Sequence, residues 1–277
     1  MRVDFHCHST ASDGELPPAS LLRLLADDGV GLAAITDHDT LGAYDAIAGQ
    51  PLPDGLRLIG GIEFSATHEG REIHVVGLGF DPRDPGLREA VALQTGRRRE
   101  RARRIAERLE RLGVPGSLEA VSRIAGEGVP GRPHFARFLV EAGRVRDADE
   151  AFERYLGSGK PAGVAIDWPG TEQVTGWIRA SGGVAVLAHP LAYAFARTRG
   201  KLRGLIGAFR ECGGAAVEVA VAGASPDRMQ TLARHVREAG LRASAGSDFH
   251  GHAQPWRRPC RVPSLPDFLE PVWSEWL

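Results

Sequence analysis

VDFHCHSTASDG, residues Val3–Gly14, opens the chain and sets how the rest is read. Its first half is β-like, and the side chains of a strand point to opposite faces in turn. His6 and His8 therefore share one face, Cys7 points into the wall behind them, and Asp13 follows in the next turn. Asp248 and His250, in SDFH, repeat the i,i+2 geometry near the other end of the chain. One such pair is within chance. Two, each beside an apolar β-like run, point to a multinuclear metal site.

Working outward, the first half alternates strands and helices: a strand over Val3–His8, a helix over Pro18–Asp28, a strand over Gly31–Thr36 and a short helix over Leu41–Ala48 with Thr40 as its N-cap. Leu56–Ala66 and Glu72–Gly79 read as strands joined by a turn at 68–71. From Thr171 onward helices and strands alternate again, with strands at 184–188, 216–220 and 242–245. Serial βα units predict a parallel sheet closed into a barrel. Residues 87–161 break the pattern, because four helical segments follow one another with no strand between them. The expected organisation is a barrel from 1–86 and 162–277, with 87–161 as an inserted helical subdomain capping its mouth.

The chemistry-bearing residues cluster by position. His6, His8, Asp13, His38, Glu63, His74, His189, Asp248 and His250 all fall at or just past a predicted strand end, where barrel enzymes place their sites. A lone histidine is more often structural; nine such residues in equivalent places are not. The imidazole and carboxylate mixture suits manganese, zinc or iron, and the lack of thiol pairs argues against a structural zinc knot.

Composition narrows the class. A net charge of -1 gives no global case for nucleic-acid or membrane binding. Three cysteines without CxxC spacing predict no disulfide framework. With no apolar leader and no membrane-length apolar run, a cytoplasmic protein without a stable protein partner is expected. Eight arginines between Arg97 and Arg111 tempt a nucleic-acid reading. Helical spacing pairs Glu100 with Arg103 and Arg104, and Glu107 with Arg111, so a solvated helix face is expected there. No aromatics interleave to stack bases.

Taken in order, HCHSTASDG, TDHDT, the GIE strand end, IHVVG, AHP and SDFH resemble the motifs of the PHP family, the polymerase and histidinol phosphatase domains. GRPHFA and YLGSGKPAGV in the helical region resemble the small branch of nucleotide phosphatases that also trim short RNA. The resemblance implies a distorted (β/α)7 barrel holding two or three divalent ions, manganese first, with zinc or iron as alternatives. On matching positions, one ion takes His6, His8, Glu63 and Asp248, a second Asp13, His38 and His250, and a third Glu63, His74 and His189. Many family members carry histidine where this chain has Asp13.

The resemblance implies phosphate ester hydrolysis by a metal-bridging hydroxide, with no protein nucleophile. Cys7, facing backwards, is expected to pack. Arg132 and His134 flank Pro133 at a predicted helix start, where free backbone N–H groups favour an anion. Lys160 sits in a glycine-rich turn, and only it and Lys201 are lysines among 34 basic residues. These three are the expected substrate contacts. The expected substrate is a nucleoside 3′,5′-bisphosphate or the 5′ end of a short RNA. The alternatives are a metabolite such as histidinol phosphate, a C–N bond, or a non-catalytic metal-binding module.

Overall fold

The computed structural model describes residues 1–277. Its ladders form two sheets rather than one closed sheet. The first has the order β1 (Arg2–Asp4), β2 (Val30–Ala33), β3 (Arg57–Leu58), all parallel. The second runs β4 (Gly61–His68), β5 (Arg71–Leu78), β6 (Val184–Leu187), β7 (Ala216–Val221), β8 (Arg242–Gly246). β4 and β5 pair antiparallel, as two strands joined by a turn at 68–71 must, but β5 with β6 is antiparallel as well, where a parallel pairing was expected. A two-residue turn accounts for the hairpin. Glu69 (φ 49°) and Gly70 (φ 74°) both take the left-handed conformation that such a connection needs.

Two further sequence expectations are corrected. Leu56–Ala66 is two strands, broken at Ile59 and Gly60. A Cβ on Gly60 would lie 2.1 Å from the Phe80 carbonyl oxygen, so the chain passes too close there for a side chain. Thr40 is not the helix N-cap. Leu41 is, although Thr40 Oγ1 accepts from the Gly42 N–H at 3.1 Å.

Backbone hydrogen bonds tie the sheets together at both seams. Phe5 N donates to Ala245 O at 3.0 Å and His8 N to Phe249 O at 2.9 Å. On the other side Asp39 N donates to Glu63 O at 2.9 Å. An apolar cluster drawn from both sheets lies between them, including Phe5, Leu32, Val76, Leu78 and Val186. Helices α7 (Thr171–Ala180), α8 (Arg199–Glu211) and α9 (Pro226–Glu238) bury their apolar faces against the larger sheet, and α1 (Pro18–Asp27) and α2 (Gly42–Ala46) cover the smaller one. Cys7 packs with Leu21, Leu22 and Leu25 beneath α1, the backward placement that strand alternation predicts.

Between β5 and α7 run α3 (Pro85–Arg111), α4 (Ser117–Ala125), α5 (Arg132–Glu141) and α6 (Ala148–Ala151), the last continuing as a π-helical turn to Leu156. They share an apolar cluster of their own around Ile105, Leu109, Phe135 and Leu139. Asp84 caps α3 by accepting from Leu87 N at 2.8 Å.

Candidate metal centre

Glu63, fully buried on β4, is the hub of the site. Its Oε2 lies 3.2 Å from His6 Nε2, 3.2 Å from His8 Nε2 and 3.1 Å from His38 Nδ1. Its Oε1 lies 2.9 Å from His74 Nδ1 and 3.0 Å from His189 Nε2. Asp248 Oδ1 is 3.6 Å from His6 Nε2 and 3.5 Å from His8 Nε2. Asp13 joins from its turn, 3.8 Å from His38 Nε2 and 3.5 Å from His250 Nε2. All nine residues singled out in the sequence are thus brought together.

The division among ions is more shared than the resemblance implies. Mutually close donors group as His8, Asp13, His38 and His250; as His6, His8 and Asp248; as His6, Glu63 and His189; and as His38, Glu63 and His74. His6, His8 and His38 each face two groups.

Two observations test whether divalent ions fit. His6 Nε2, both ring nitrogens of His8, His38 Nδ1, Glu63 Oε2 and His74 Nδ1 are buried and make no hydrogen bond. Each such atom costs roughly 1–3 kcal/mol if nothing else satisfies it. The spacing also fits: metal–donor bonds of about 2.0–2.2 Å set neighbouring donors roughly 3–4 Å apart, depending on the angle between the bonds. The donors fit the ions.

Charge is unevenly held in this set. Burial favours neutral Glu63, yet the imidazoles of His38, His6 and His74 hold its pKa well below the usual carboxylate range. Burial opposes charge on His74 too, but Glu63 and Glu72 raise its pKa to about 9. His250 goes the other way. Burial first, and then the neighbouring His8, push it down to about 4.

Sharp backbone turns aim these side chains. Asp39 (φ 53°), His189 (φ 29°) and Asp248 (φ 53°) are non-glycine residues in the left-handed region, each costing roughly 1–3 kcal/mol. A donated backbone hydrogen bond pins each one: Asp39 N to Glu63 O at 2.9 Å, His189 N to Glu218 Oε2 at 2.7 Å and Asp248 N to His6 O at 2.7 Å.

The supporting carboxylates escaped the sequence reading. Asp37 accepts from Ser9 N at 2.8 Å and from the Ser9 and Ser12 hydroxyls at 2.6 Å each, shaping the turn that carries Asp13. Asp39 accepts from Ser65 N and from Arg98 Nε. Glu218 accepts from His6 Nδ1 at 2.9 Å, and Arg257 pairs with Asp248. The adjacent DHD spelling hinted at Asp37 and Asp39. Nothing local marked Glu218.

The expected substrate contacts divide. Arg132 lines a cavity of about 90 Å³ together with Asp13, His38, His74, Arg98 and Arg101. His134 is buried, its Nδ1 accepting from Gly131 N at 2.9 Å, and it borders a separate hollow beside Asp13. Lys160 is exposed and lines neither that cavity nor the open groove of about 590 Å³ next to it. The arginine-rich helix is not solvated all round. Its Glu100 and Arg103 do pair on the exposed face, but Arg98 and Arg101 are buried and turn to the site. They fall in step with Leu87, Gln94 and Ile105, a helical stripe that could have revealed them.

No protein-family profile matches the chain. It is 43% identical over 275 residues to the 5′-3′ exoribonuclease Rnm of Salmonella typhimurium, covering 99% of this chain and 93% of that one. It is 37% identical over 274 residues to a 3′,5′-nucleoside bisphosphate phosphatase of Chromobacterium violaceum, covering 99% and 95%. Among solved structures, it resembles an amidohydrolase of Chromobacterium violaceum, solved with bound sulfate and no metal, at TM-score 0.88 and 36% identity over 99% of this chain and 95% of that one. A structure from Bifidobacterium adolescentis described as a metal-dependent phosphoesterase matches at TM-score 0.79 and 26% identity, over 98% and 93%.

Proposed function

The chain belongs to the PHP family of phosphoesterases, and from that premise we propose that it is a metal-dependent hydrolase of nucleotide phosphate esters. Its substrates in this reading are nucleoside 3′,5′-bisphosphates, the 5′ ends of short RNA, or both. The observation that carries it is the convergence of buried, unpartnered imidazole nitrogens on Glu63.

His6, His8, Glu63 and Asp248 would hold one ion, Asp13, His38 and His250 a second, and Glu63, His74 and His189 a third. The mixed imidazole and carboxylate donors suit manganese, zinc or iron, and manganese is the ion taken first in this reading. Bound divalent ions supply charge neutralisation at the phosphate oxygens and lower the pKa of water.

The side chains around the centre account for the rest. Cys7 cannot attack, because it is fully buried, donates to Ala34 O at 3.4 Å and has its thiol pKa pushed well up by burial and by Asp4 and Asp37. The Ser9 and Ser12 hydroxyls are committed to Asp37. Water is the attacking group in this reading. Arg132 and Arg101 present guanidinium groups to the cavity beside His38 and His74, where they would orient a phosphate group by charge-assisted hydrogen bonds. His134 joins them in this reading from the hollow beside Asp13, and Lys160, on the exposed turn, would add only a peripheral positive charge.

The seam hydrogen bonds at Phe5–Ala245 and Asp39–Glu63 support reading the two sheets as a distorted (β/α)7 barrel. The separate apolar cluster of α3 to α6 supports 87–161 as an inserted cap on a barrel built from 1–86 and 162–277. No helix is long and apolar enough to cross a membrane. Three unpaired cysteines suit a cytoplasmic setting.

Hydrolysis products test the proposal, read as phosphate from the esters and as the ring-opened acid from the amide. A panel of mono- and bisphosphorylated nucleotides, histidinol phosphate and a cyclic amide is assayed with and without added Mn²⁺. Mn²⁺-dependent phosphate release from the nucleotides is expected, and turnover of histidinol phosphate or the amide alone would reject it.

A further inference from the structure

We propose that Glu218 is the positioning residue that prepares His6 and His189 for the metal centre, a role that rests on the metal reading above. Glu218 lies in the middle of β7. Its neighbours Val217 and Val219 pack in the apolar cluster beneath the helices, and Ala216 and Ala220 pack between the sheets. A carboxylate buried to 2% exposure in such a strand is unfavourable without partners. Both of its partners belong to the proposed ligand set: His6 Nδ1 at 2.9 Å and the His189 backbone N at 2.7 Å.

The chemistry of the pair fixes which nitrogen is free. An ionised carboxylate only accepts hydrogen bonds, so His6 Nδ1 must carry the proton. The lone pair is then on Nε2, the atom 3.2 Å from Glu63 Oε2 and 3.6 Å from Asp248 Oδ1. The other oxygen of Glu218 holds the His189 amide in a left-handed turn that few residues adopt, and that turn sets His189 Nε2 3.0 Å from Glu63 Oε1. One carboxylate thereby orients ligands from two strand ends 183 residues apart in sequence (189 − 6).

Gly246 gives independent support. A Cβ there would fall 2.3 Å from His6 Cβ and 2.7 Å from Glu218 Oε1. The end of β8 is bare where His6 and Glu218 meet.

Glutamine at this position cannot serve both donors, since it offers one carbonyl oxygen and one NH2 group. If the oxygen keeps the His189 amide, the NH2 group faces His6 Nδ1 and draws the proton to Nε2. If the oxygen keeps His6, the His189 turn loses its acceptor. Either way one ligand is lost.

The test uses Mn²⁺ binding to the full chain, with ¹⁵N spectra of the histidine rings in the Zn²⁺-loaded protein. Wild type should show His6 protonated on Nδ1 and ligating through Nε2. Glu218→Gln should weaken one Mn²⁺ site at least tenfold, as loss of a supporting carboxylate does, and alter the His6 or His189 ring signals while the other sites still fill. Wild-type Mn²⁺ affinity in Glu218→Gln would overturn the proposal, as would a wild-type His6 that ligates through Nδ1, a result readable even if the variant does not fold. A wild-type chain that takes up neither metal would overturn the metal reading as well.

Discussion

Glu72 Oε1 lies 3.3 Å from Arg132 Nη2, so a carboxylate holds the proposed phosphate-binding arginine at the edge of the cavity. Arg101 Nη2 reaches the other oxygen of Glu72 at 3.3 Å, and His74 Nε2 is 3.7 Å from the first. Two guanidinium groups thus share one internal anion next to the metal ligands, an arrangement that keeps them aligned for a second anion.

Arg132→Ala should lower kcat/KM by roughly 10², the usual cost of removing one charged contact that strengthens toward the transition state. Metal content should stay at the wild-type level. Lys160→Ala, at an exposed position, should have a much smaller effect. Elemental analysis beside steady-state kinetics checks this, and metal loss in Arg132→Ala would show a structural role instead.

A nucleoside 3′,5′-bisphosphate should beat the matching monophosphate mainly in kcat/KM, because the arginines offer a second anion site beside the metal ligands. The advantage should shrink as salt rises, since charge contacts in a solvent-connected cavity are screened. Equal kcat/KM for both substrates at low salt would refute the second site.

Metal should stabilise the native fold by mass action. At free Mn²⁺ of 100 times its Kd, one site contributes about 2.7 kcal/mol. A chelator should lower the wild-type Tm. His6→Ala and Asp248→Ala should abolish turnover and respond less to added Mn²⁺. Thermal scans with titrated Mn²⁺ decide it, and near-wild-type turnover in His6→Ala with that site confirmed empty would sink the assignment.

The chelated protein should be most stable near neutral pH. The folded pKa of His74 is about 9 against 6.5 for the free group, because Glu63 and Glu72 outweigh burial. Its contribution is therefore complete below pH 6.5 and lost as pH rises through about 9. His250 has the opposite sign, with a folded pKa of about 4 against 6.5. Its contribution is complete above pH 6.5 and lost as pH falls through about 4. His74→Asn should flatten the alkaline limb of a Tm–pH curve in chelator, and His250→Asn the acid limb. An unchanged alkaline limb in His74→Asn would contradict the assigned pairing.

Two glycine substitutions should move stability in opposite directions. Gly246→Ala puts a methyl against His6 and Glu218 and should cost about 1–3 kcal/mol, with weakened metal binding. Gly204 lies on the exposed face of α8 with nothing within 4 Å of an added Cβ. Gly204→Ala should stabilise by about 0.4–1 kcal/mol through the unfolded chain. Denaturant midpoints with metal titrations distinguish the two.

The sequence by itself determined the nine candidate ligands and most of the elements that carry them. Strand alternation is local, so His6 and His8 could be placed on one face, and Cys7 on the other, from spacing alone. It also set the helical run after β5, because amphipathic periodicity belongs to each helix separately. The turn at 68–71 made the β4–β5 hairpin legible, but only the tertiary structure decided the antiparallel β5–β6 pairing, since those strands lie more than 100 residues apart, on either side of the helical run. The same holds for Glu218, whose partners are 212 and 29 residues away. Arg98 and Arg101 lie in a stretch that reads as a solvated helix face, and packing turned them inward to Asp39 and Glu72. Lys160, an outlier by composition, was left in solvent. Residue type and short-range spacing mark what can ligate a metal; burial and partner choice arise only when remote strand ends meet, because those energies belong to pairs of residues that the sequence does not place side by side.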